Sequence, residues 1–336
     1  MTSYFSFLNI TPEILKQKMI NRHCIRIINR TITTICSILC TLLLLHFFVA
    51  DLPAAETNVR AASTLNIYAT GLSLKGAYTA QKKYVSALIP QYGQPIGYKI
   101  GFTGKALQER FQVSKPASGI LLDKMLLPDG ASFSLASALH PMLDPDLKKK
   151  SLPDGVSFSL TSTYRPMIEP DIIVTVKDQG IMTARNELEV ANHLDEVRPF
   201  LELPVIPFPE GTKLTGTTLV ACNIAARAGV SGKGRKIAVS PAFVQTFAHM
   251  ETILTDETGT ILQNTPGSNL LGHPLRAVLW LIKELRARGE SLQAGQLISL
   301  GGFGKLFPLK EPGKTYTLTY MGLPGGPLST SVRISE

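Results

Sequence analysis

Cysteine, aromatic residues and charge are all sparse in this chain of 336 residues. There are four cysteines, a single Trp, 7% aromatic residues and 18% charged residues. Three of the cysteines, Cys24, Cys36 and Cys40, lie in or beside one apolar run, which leaves Cys222 alone in the rest. One thiol cannot close an intramolecular disulfide. No Cys-x-x-Cys or Cys/His spacing is present, so a disulfide scaffold and a zinc module are both excluded. Neither Cys36 nor Cys40 follows the small residue that a lipidation site wants. Beyond Thr31–Ala50 there is no long apolar run, so a polytopic membrane protein is excluded. The 27 glycines and 22 prolines show no collagen-like period, and 44% hydrophobic residues is too many for a disordered chain.

Acidic residues are absent between Glu13 and Asp51, while Lys16, Lys18, Arg22, Arg26 and Arg30 precede the apolar run. A basic region, about 20 apolar residues and then small residues at Pro53-Ala54-Ala55 form the layout of a secretory signal, or of a retained membrane anchor. A buried core helix is the plain alternative, and Met19 is an alternative start. We therefore expect residues 1–55 to be signal peptide or anchor, 56–64 a linker and 65–330 one domain. That domain is expected to be exported, periplasmic in a bacterium or held outside by the anchor, and to touch membrane only through the N-terminal segment. The chain's net charge of +9 falls to +6 (29 cations against 23 anions) once residues 1–55 are set aside. The densest remaining cluster is Lys148-Lys149-Lys150, so no nucleic-acid partner is expected.

One internal repeat stands out. Residues 127–147 (LPDGASFSLASALHPMLDPDL) and 152–172 (LPDGVSFSLTSTYRPMIEPDI) match at 13 of 21 positions with a constant offset of 25. Two copies are too few for a solenoid, so this is a tandem duplication. The second copy runs on as the β-branched Asp171–Lys177, whereas the first runs into three lysines. The native sheet position is therefore assigned to the second copy, and the first is read as a surface excursion or an extra edge hairpin; competition for one slot is the alternative.

Elsewhere, the periodicity predicts helices over 72–89, 105–111, 186–200, 241–250 and 274–288. Asn186 is the expected N-cap of the third of these, and His193 is placed on its exposed face. Strands are predicted at 96–102, 200–205, 297–300 and 315–320, with a hairpin around Glu257-Thr258-Gly259. Many short strands with few helices, and no regular strand–helix alternation, define an α+β fold rather than a doubly wound one.

Glu169 and Asp171 are two residues apart on a predicted strand, so both carboxylates share one face. Such a pair calls for a cation, and a hard divalent ion suits oxygen ligands; the alternative is a solvated strand face. Glu202 lies among Phe200, Leu201 and Leu203, where a buried carboxylate must be paired or ligating. Lys99, between Gly97 and Gly101 in an apolar strand, either snorkels or serves a site.

In order along the chain come Gly97-Tyr-Lys-Ile-Gly-Phe-Thr103, Pro116…Gly119, Arg165-Pro-Met-Ile-Glu-Pro-Asp171 and Phe200-Leu-Glu-Leu-Pro204. They are followed by Leu271-Gly-His-Pro-Leu275, Gly289–Gly295 and Gly301-Gly302. Together these segments resemble the 2-keto-4-pentenoate hydratase branch of the fumarylacetoacetase C-terminal-like superfamily. The resemblance covers about residues 65–325. It implies a mixed β-sheet roll with flanking helices and a Mg²⁺ or Mn²⁺ site formed by Glu169, Asp171 and Glu202, with Lys99 as the active-site lysine. In the first repeat copy, Asp144 and Asp146 mimic the acidic pair. It further implies a small 2-oxo acid or 2-hydroxydienoate as substrate. Its 1-carboxylate and 2-oxo group would chelate the ion, a Lewis acid for enolate formation before water adds.

Three departures bear on the reaction. The Asp that hydratases of this branch carry after the Pro of Pro-x-x-Gly is Ala117 here. Their Asp-Asn pair reads Cys222-Asn223, and the Asp-Ser-Arg that often follows the third ligand is absent. Decarboxylation or C–C hydrolysis is therefore an alternative to hydration, and an inactive 2-oxo-acid binder is another. His193, His249 and His273 are weak candidate bases: His193 is expected on the exposed face of its helix, and His273, before Pro274, either caps or lies near the pocket; Cys222 is better read as a buried structural thiol than as a nucleophile. A homo-oligomer is compatible with the sequence.

Overall fold

The computed structural model describes residues 72–136, 165–208 and 213–336. The expected signal or anchor, the linker, Asp144, Asp146 and Lys148-Lys149-Lys150 all lie outside the described residues. Among the described residues, no helix is long and apolar enough to cross a membrane.

Helix α1 (Leu74–Tyr92) begins where the Ser73 hydroxyl accepts from Gly76 N–H at 3.1 Å. It buries Ala77, Gln81, Tyr84, Val85 and Leu88 on one stripe. Strand β1 (Pro95–Gly101), helix α2 (Lys105–Phe111) and strand β2 (Ala117–Leu122) follow. Next come β3 (Leu126–Pro128), β4 (Ser132–Ser134), β5 (Arg165–Val176), α3 (Glu187–Asn192), β6 (Leu194–Leu203) and β7 (Val205–Ile206). Beyond these lie α4 (Gly216–Ala221), β8 (Ala228–Ser231), β9 (Arg235–Lys236), α5 (Pro241–His249), β10 (Glu251–Thr255) and β11 (Ile261–Pro266). The chain ends with α6 (Leu275–Ala287), β12 (Leu297–Ser299), β13 (Phe307–Pro308), β14 (Thr315–Met321) and β15 (Leu328–Ser335), the last carrying the sheet past residue 330.

Two mixed sheets result, which makes the fold α+β as expected. The larger runs β2-β1-β12-β5-β6-β8-β3, and the smaller runs β11-β10-β14-β15-β4. Pairs β1/β12, β3/β8 and β4/β15 are parallel; the other pairs are antiparallel. Ile172 and Val174 of β5, Leu201 of β6, Phe247 of α5, Leu281 of α6 and Tyr320 of β14 belong to one buried core. A second cluster joins Ala77, Phe102, Phe208 and Leu219. Phe102 and Leu219 of the second cluster also line the site.

The helix predicted over 186–200 is only six residues long. Asn186 does cap it, its side chain accepting from Glu189 N–H at 2.9 Å. Then the chain turns extended, with Val197 opposite Val174 and Glu202 opposite Glu169. Pro199 rules out a helix through residue 200, and from Leu194 the β5 ladder satisfies the backbone groups a helix would otherwise have paired. The duplication also resolves unexpectedly. The front of the first copy forms β3 and β4, which pair with β8 and β15 in different sheets. This front therefore lies in the sheets, and β3 and β4 pair with other strands rather than with each other. The end of the second copy, from Arg165, forms the central strand β5.

Candidate active site

Strands β5 and β6 bring the carboxylates together. Glu169 and Glu202 face one another directly across the antiparallel ladder, and Asp171 lies two residues further along on the same face. All three are buried, at 6%, 2% and 0% exposure. Like charges in that register repel, so the arrangement requires cations or protons. One cation is Lys99, delivered by β1 and only 3% exposed. Its Nζ pairs with Glu202 Oε1 and donates to the Ile224 carbonyl at 3.0 Å. Burial alone would push the Lys99 ammonium down; the charges of Glu202 and Glu169 outweigh it and hold it above the usual lysine value. Burial, with repulsion from Glu202, lifts the Glu169 carboxyl well above the ordinary range despite Lys99. The same two causes lift Asp171 to about 7, against the pull of three donors.

Those donors fix Asp171. Its Oδ1 accepts from the Ile172 and Gly301 N–H groups at 2.5 and 3.0 Å, and its Oδ2 accepts from the Ser299 hydroxyl. The Tyr320 hydroxyl donates to its carbonyl. Gly301 (φ +110°) aims its N–H only because it has no side chain, and a Cβ on Gly302 would strike Glu169 Oε2. Glu202 Oε2 is buried without a hydrogen-bond donor. Among the described residues, no three His, Cys, Asp or Glu side chains already stand together as a metal cage. The donor set nevertheless fits a hard divalent ion. Three dehydrated carboxylates share one ammonium, and one Glu202 oxygen is left without a donor.

Above Glu169 and Lys99 opens a cleft with apolar walls that include Phe102, Leu107, Phe111, Ile206, Leu219 and Leu306. Lys99 and Glu169 are the only charged residues lining it among the described residues. Asp171 and Glu202 do not line it; they act electrostatically on Lys99 and Glu169, which do. Sequence reasoning missed the segment that steers Lys99. Asn223, Ile224 and Ala225 all have positive φ (59°, 53° and 57°), and this left-handed run is what turns the Ile224 carbonyl toward the ammonium. Asn223 pins the run to β2: its Oδ1 accepts from Ile120 N–H at 2.7 Å and its Nδ2 donates to Ile120 O at 2.9 Å. Asn tolerates this conformation and could have signalled it; a β-branched Ile could not.

The other candidates are structural. His193 ends α3 and pairs with Asp178 at 2.7 Å. His273 accepts from Leu275 N–H at 3.1 Å and bonds Val244 O at 2.8 Å, tying the start of α6 to α5. His249 closes α5, away from the cleft lining. Cys222 is buried, donates to Leu219 O, and burial pushes its thiol up to about 12, so it is no nucleophile. Ala117 is buried at 4% exposure and supplies no acid or base.

No protein-family model matches the chain. Curated relatives do. The 2-oxo-hept-4-ene-1,7-dioate hydratase of Escherichia coli is 26% identical over 282 residues, 82% of this chain and 94% of that protein. The 4-oxalocrotonate decarboxylase of Pseudomonas putida is 24% identical over 75% of this chain and 83% of its own length. The 2-keto-4-pentenoate hydratase of Paraburkholderia xenovorans is 25% identical over 73% and 79%. Among solved structures, 4-oxalocrotonate decarboxylase from Pseudomonas putida G7, complexed with magnesium and adipate, shares the fold. Its TM-score is 0.62 at 24% identity, over 84% of this chain and 96% of that one. The chain is thus similar in sequence to these hydratases and decarboxylases, and it shares its fold with the decarboxylase.

Proposed function

We propose that this protein is a divalent-metal-dependent, hydratase-like lyase acting on a small 2-oxo acid or 2-hydroxydienoate. The observation that carries the reading is the buried set of three carboxylates and one lysine at the floor of an apolar cleft. Glu169, Asp171 and Glu202 would hold Mg²⁺ or Mn²⁺, as the magnesium and calcium complexes of the decarboxylase neighbour support. The ion supplies Lewis acidity toward the 2-oxo group. Lys99 presents a fixed positive charge where an enolate oxygen develops, and its Nζ–H can hold or pass a proton there. The Ile224 carbonyl and Glu202 keep that ammonium oriented, and the apolar walls exclude bulk water.

Hydration also needs a group that delivers water to the distal double bond. Ala117 offers none, and the cleft contains no titratable side chain beyond Lys99 and Glu169 among the described residues. That observation favours decarboxylation as the second reading, because it uses the same enolate stabilisation without an activated water. The basic-then-apolar N-terminal segment supports the further reading that the domain works outside the cytoplasmic membrane.

The test is the ultraviolet absorbance of 2-hydroxypenta-2,4-dienoate with purified protein in Mg²⁺ or Mn²⁺ and in EDTA. Metal-dependent loss of the diene band is the expected result. Loss that persists in EDTA refutes the metal role. CO₂ release from 4-oxalocrotonate selects the decarboxylase, and binding without turnover selects the inactive binder.

A further inference from the structure

We infer that Asn223 and Gln81 are positioning residues: they aim the Lys99 ammonium through the Ile224 carbonyl, without themselves reaching the cleft. The inference rests on the proposed reading that Lys99 stabilises an enolate at the carboxylate–lysine floor. It concerns how that lysine is held.

A lysine ammonium carries three N–H donors. Glu202 takes one here and the Ile224 carbonyl, at 3.0 Å, takes another, which leaves one for a ligand in the cleft that Lys99 lines. The two holds differ in kind. Glu202 is also a proposed metal ligand, so its pull on the ammonium falls once its charge is shared with a divalent ion. The Ile224 carbonyl is neutral backbone, and metal binding leaves it in place. Its direction therefore decides where the ammonium points in the loaded protein.

Ile224 does not adopt that direction on its own. A β-branched residue at φ +53°, between Asn223 at +59° and Ala225 at +57°, needs an outside restraint. Asn223 is fully buried and supplies it with both ends of its amide, which accepts from and donates to the Ile120 backbone. The run lies close against the strands beside the lysine. Gly119 stands opposite Lys99 in the β1/β2 ladder, and a Cβ there would be 2.9 Å from the Asn223 carbonyl oxygen. Gln81 closes the other side. It is 3% exposed on α1, and its Nε2 donates to Ser118 O of β2 at 2.8 Å and to Val220 O of α4 at 3.0 Å. Helix α4 leads through Cys222 into the run, so Gln81 ties together the two elements that the run bridges. Neither Gln81 nor Asn223 lines the cleft.

The experiment compares Asn223→Gly and Gln81→Met with the parent in Mg²⁺. Turnover is measured on whichever of 2-hydroxypenta-2,4-dienoate and 4-oxalocrotonate the parent consumes, beside calorimetric titration with Mn²⁺. Glycine accepts the positive φ and removes only the amide, so conformational tolerance is separated from positioning. We expect kcat to fall by about a hundredfold in Asn223→Gly and about tenfold in Gln81→Met, with KM and Mn²⁺ affinity each held within about threefold. Full kcat in either variant overturns the role of that residue, since a merely conformational Asn223 is replaced by glycine without loss. An equal fall in kcat and Mn²⁺ affinity also overturns the inference, because the whole floor has then moved. If Asn223→Gly does not fold, Gln81→Met, which keeps the Asn223 amide, decides by the same readings. A parent that turns over neither acid overturns the proposed function, and this inference falls with it; an active parent with active variants overturns the inference alone.

Discussion

Replacing Lys99 by Met tests the central arrangement directly. The side chain keeps its length and loses its charge, leaving Glu169, Asp171 and Glu202 buried without the one ammonium that faces them. Both partners of the Lys99–Glu202 pair are almost fully dehydrated, so the relevant magnitude is that for breaking a buried pair, about 3–5 kcal/mol. For a domain of this size that is a fall in Tm of roughly 6–20 °C. The fall should appear in EDTA. In Mg²⁺ it should shrink, because an ion bound by the three carboxylates replaces the missing positive charge. Any protein holding the ion gains about 2.7 kcal/mol at a hundred times its Kd, and the variant should gain more than the parent. The assay is scanning calorimetry of both proteins with and without Mg²⁺, with turnover measured in parallel. Activity should be lost in the variant even where the metal restores its stability. An equal Tm deficit in EDTA and Mg²⁺ refutes metal binding by these carboxylates. The absence of any deficit in EDTA refutes a dehydrated charge cluster.

Three further outcomes are expected. In the metal-free protein, Asp171 titrates near 7 when folded and near 3.9 when unfolded, so the folded state binds the extra proton. The stability this contributes is complete below about pH 4 and is lost as the pH rises through about 7; denaturant melts in EDTA that strengthen from pH 5 to 8 would contradict it. Cys222, with its thiol pushed up to about 12, should resist alkylation at pH 8 in the native protein and react in denaturant; rapid native labelling, read by mass spectrometry, would contradict its burial. Deleting residues 137–161 joins the front of the first repeat copy to the end of the second in register, and should leave Tm and activity close to those of the parent. A deletion variant that fails to fold would show that more than one copy's worth of this segment is required.

What the sequence reveals and hides here follows from the range of the interactions. The spacing of Glu169 and Asp171, the capping of Asn186 and the strand Gly97–Gly101 are local, and period and cap chemistry read them correctly. Glu202 was found because a carboxylate in an apolar run must have a partner, yet only the β5/β6 register sets it opposite Glu169. The donors on Asp171 come from Ser299, Gly301 and Tyr320, far along the chain, and no local pattern marks them. The left-handed run Asn223–Ala225 is hidden for a different reason: tertiary contacts to Lys99 and Ile120 impose a conformation that Ile itself disfavours. The repeat is the sharpest case. Its two copies are nearly equivalent locally, so propensity cannot rank them. The lysines after the first copy correctly exclude its end from β5, but they say nothing about its front. That front follows β2 after a short turn and reaches β8 and β15 directly, whereas the second copy's end runs without interruption into Asp171–Val176. Chain connectivity at each end, rather than the local sequence of either copy, therefore decides where the two described stretches pair.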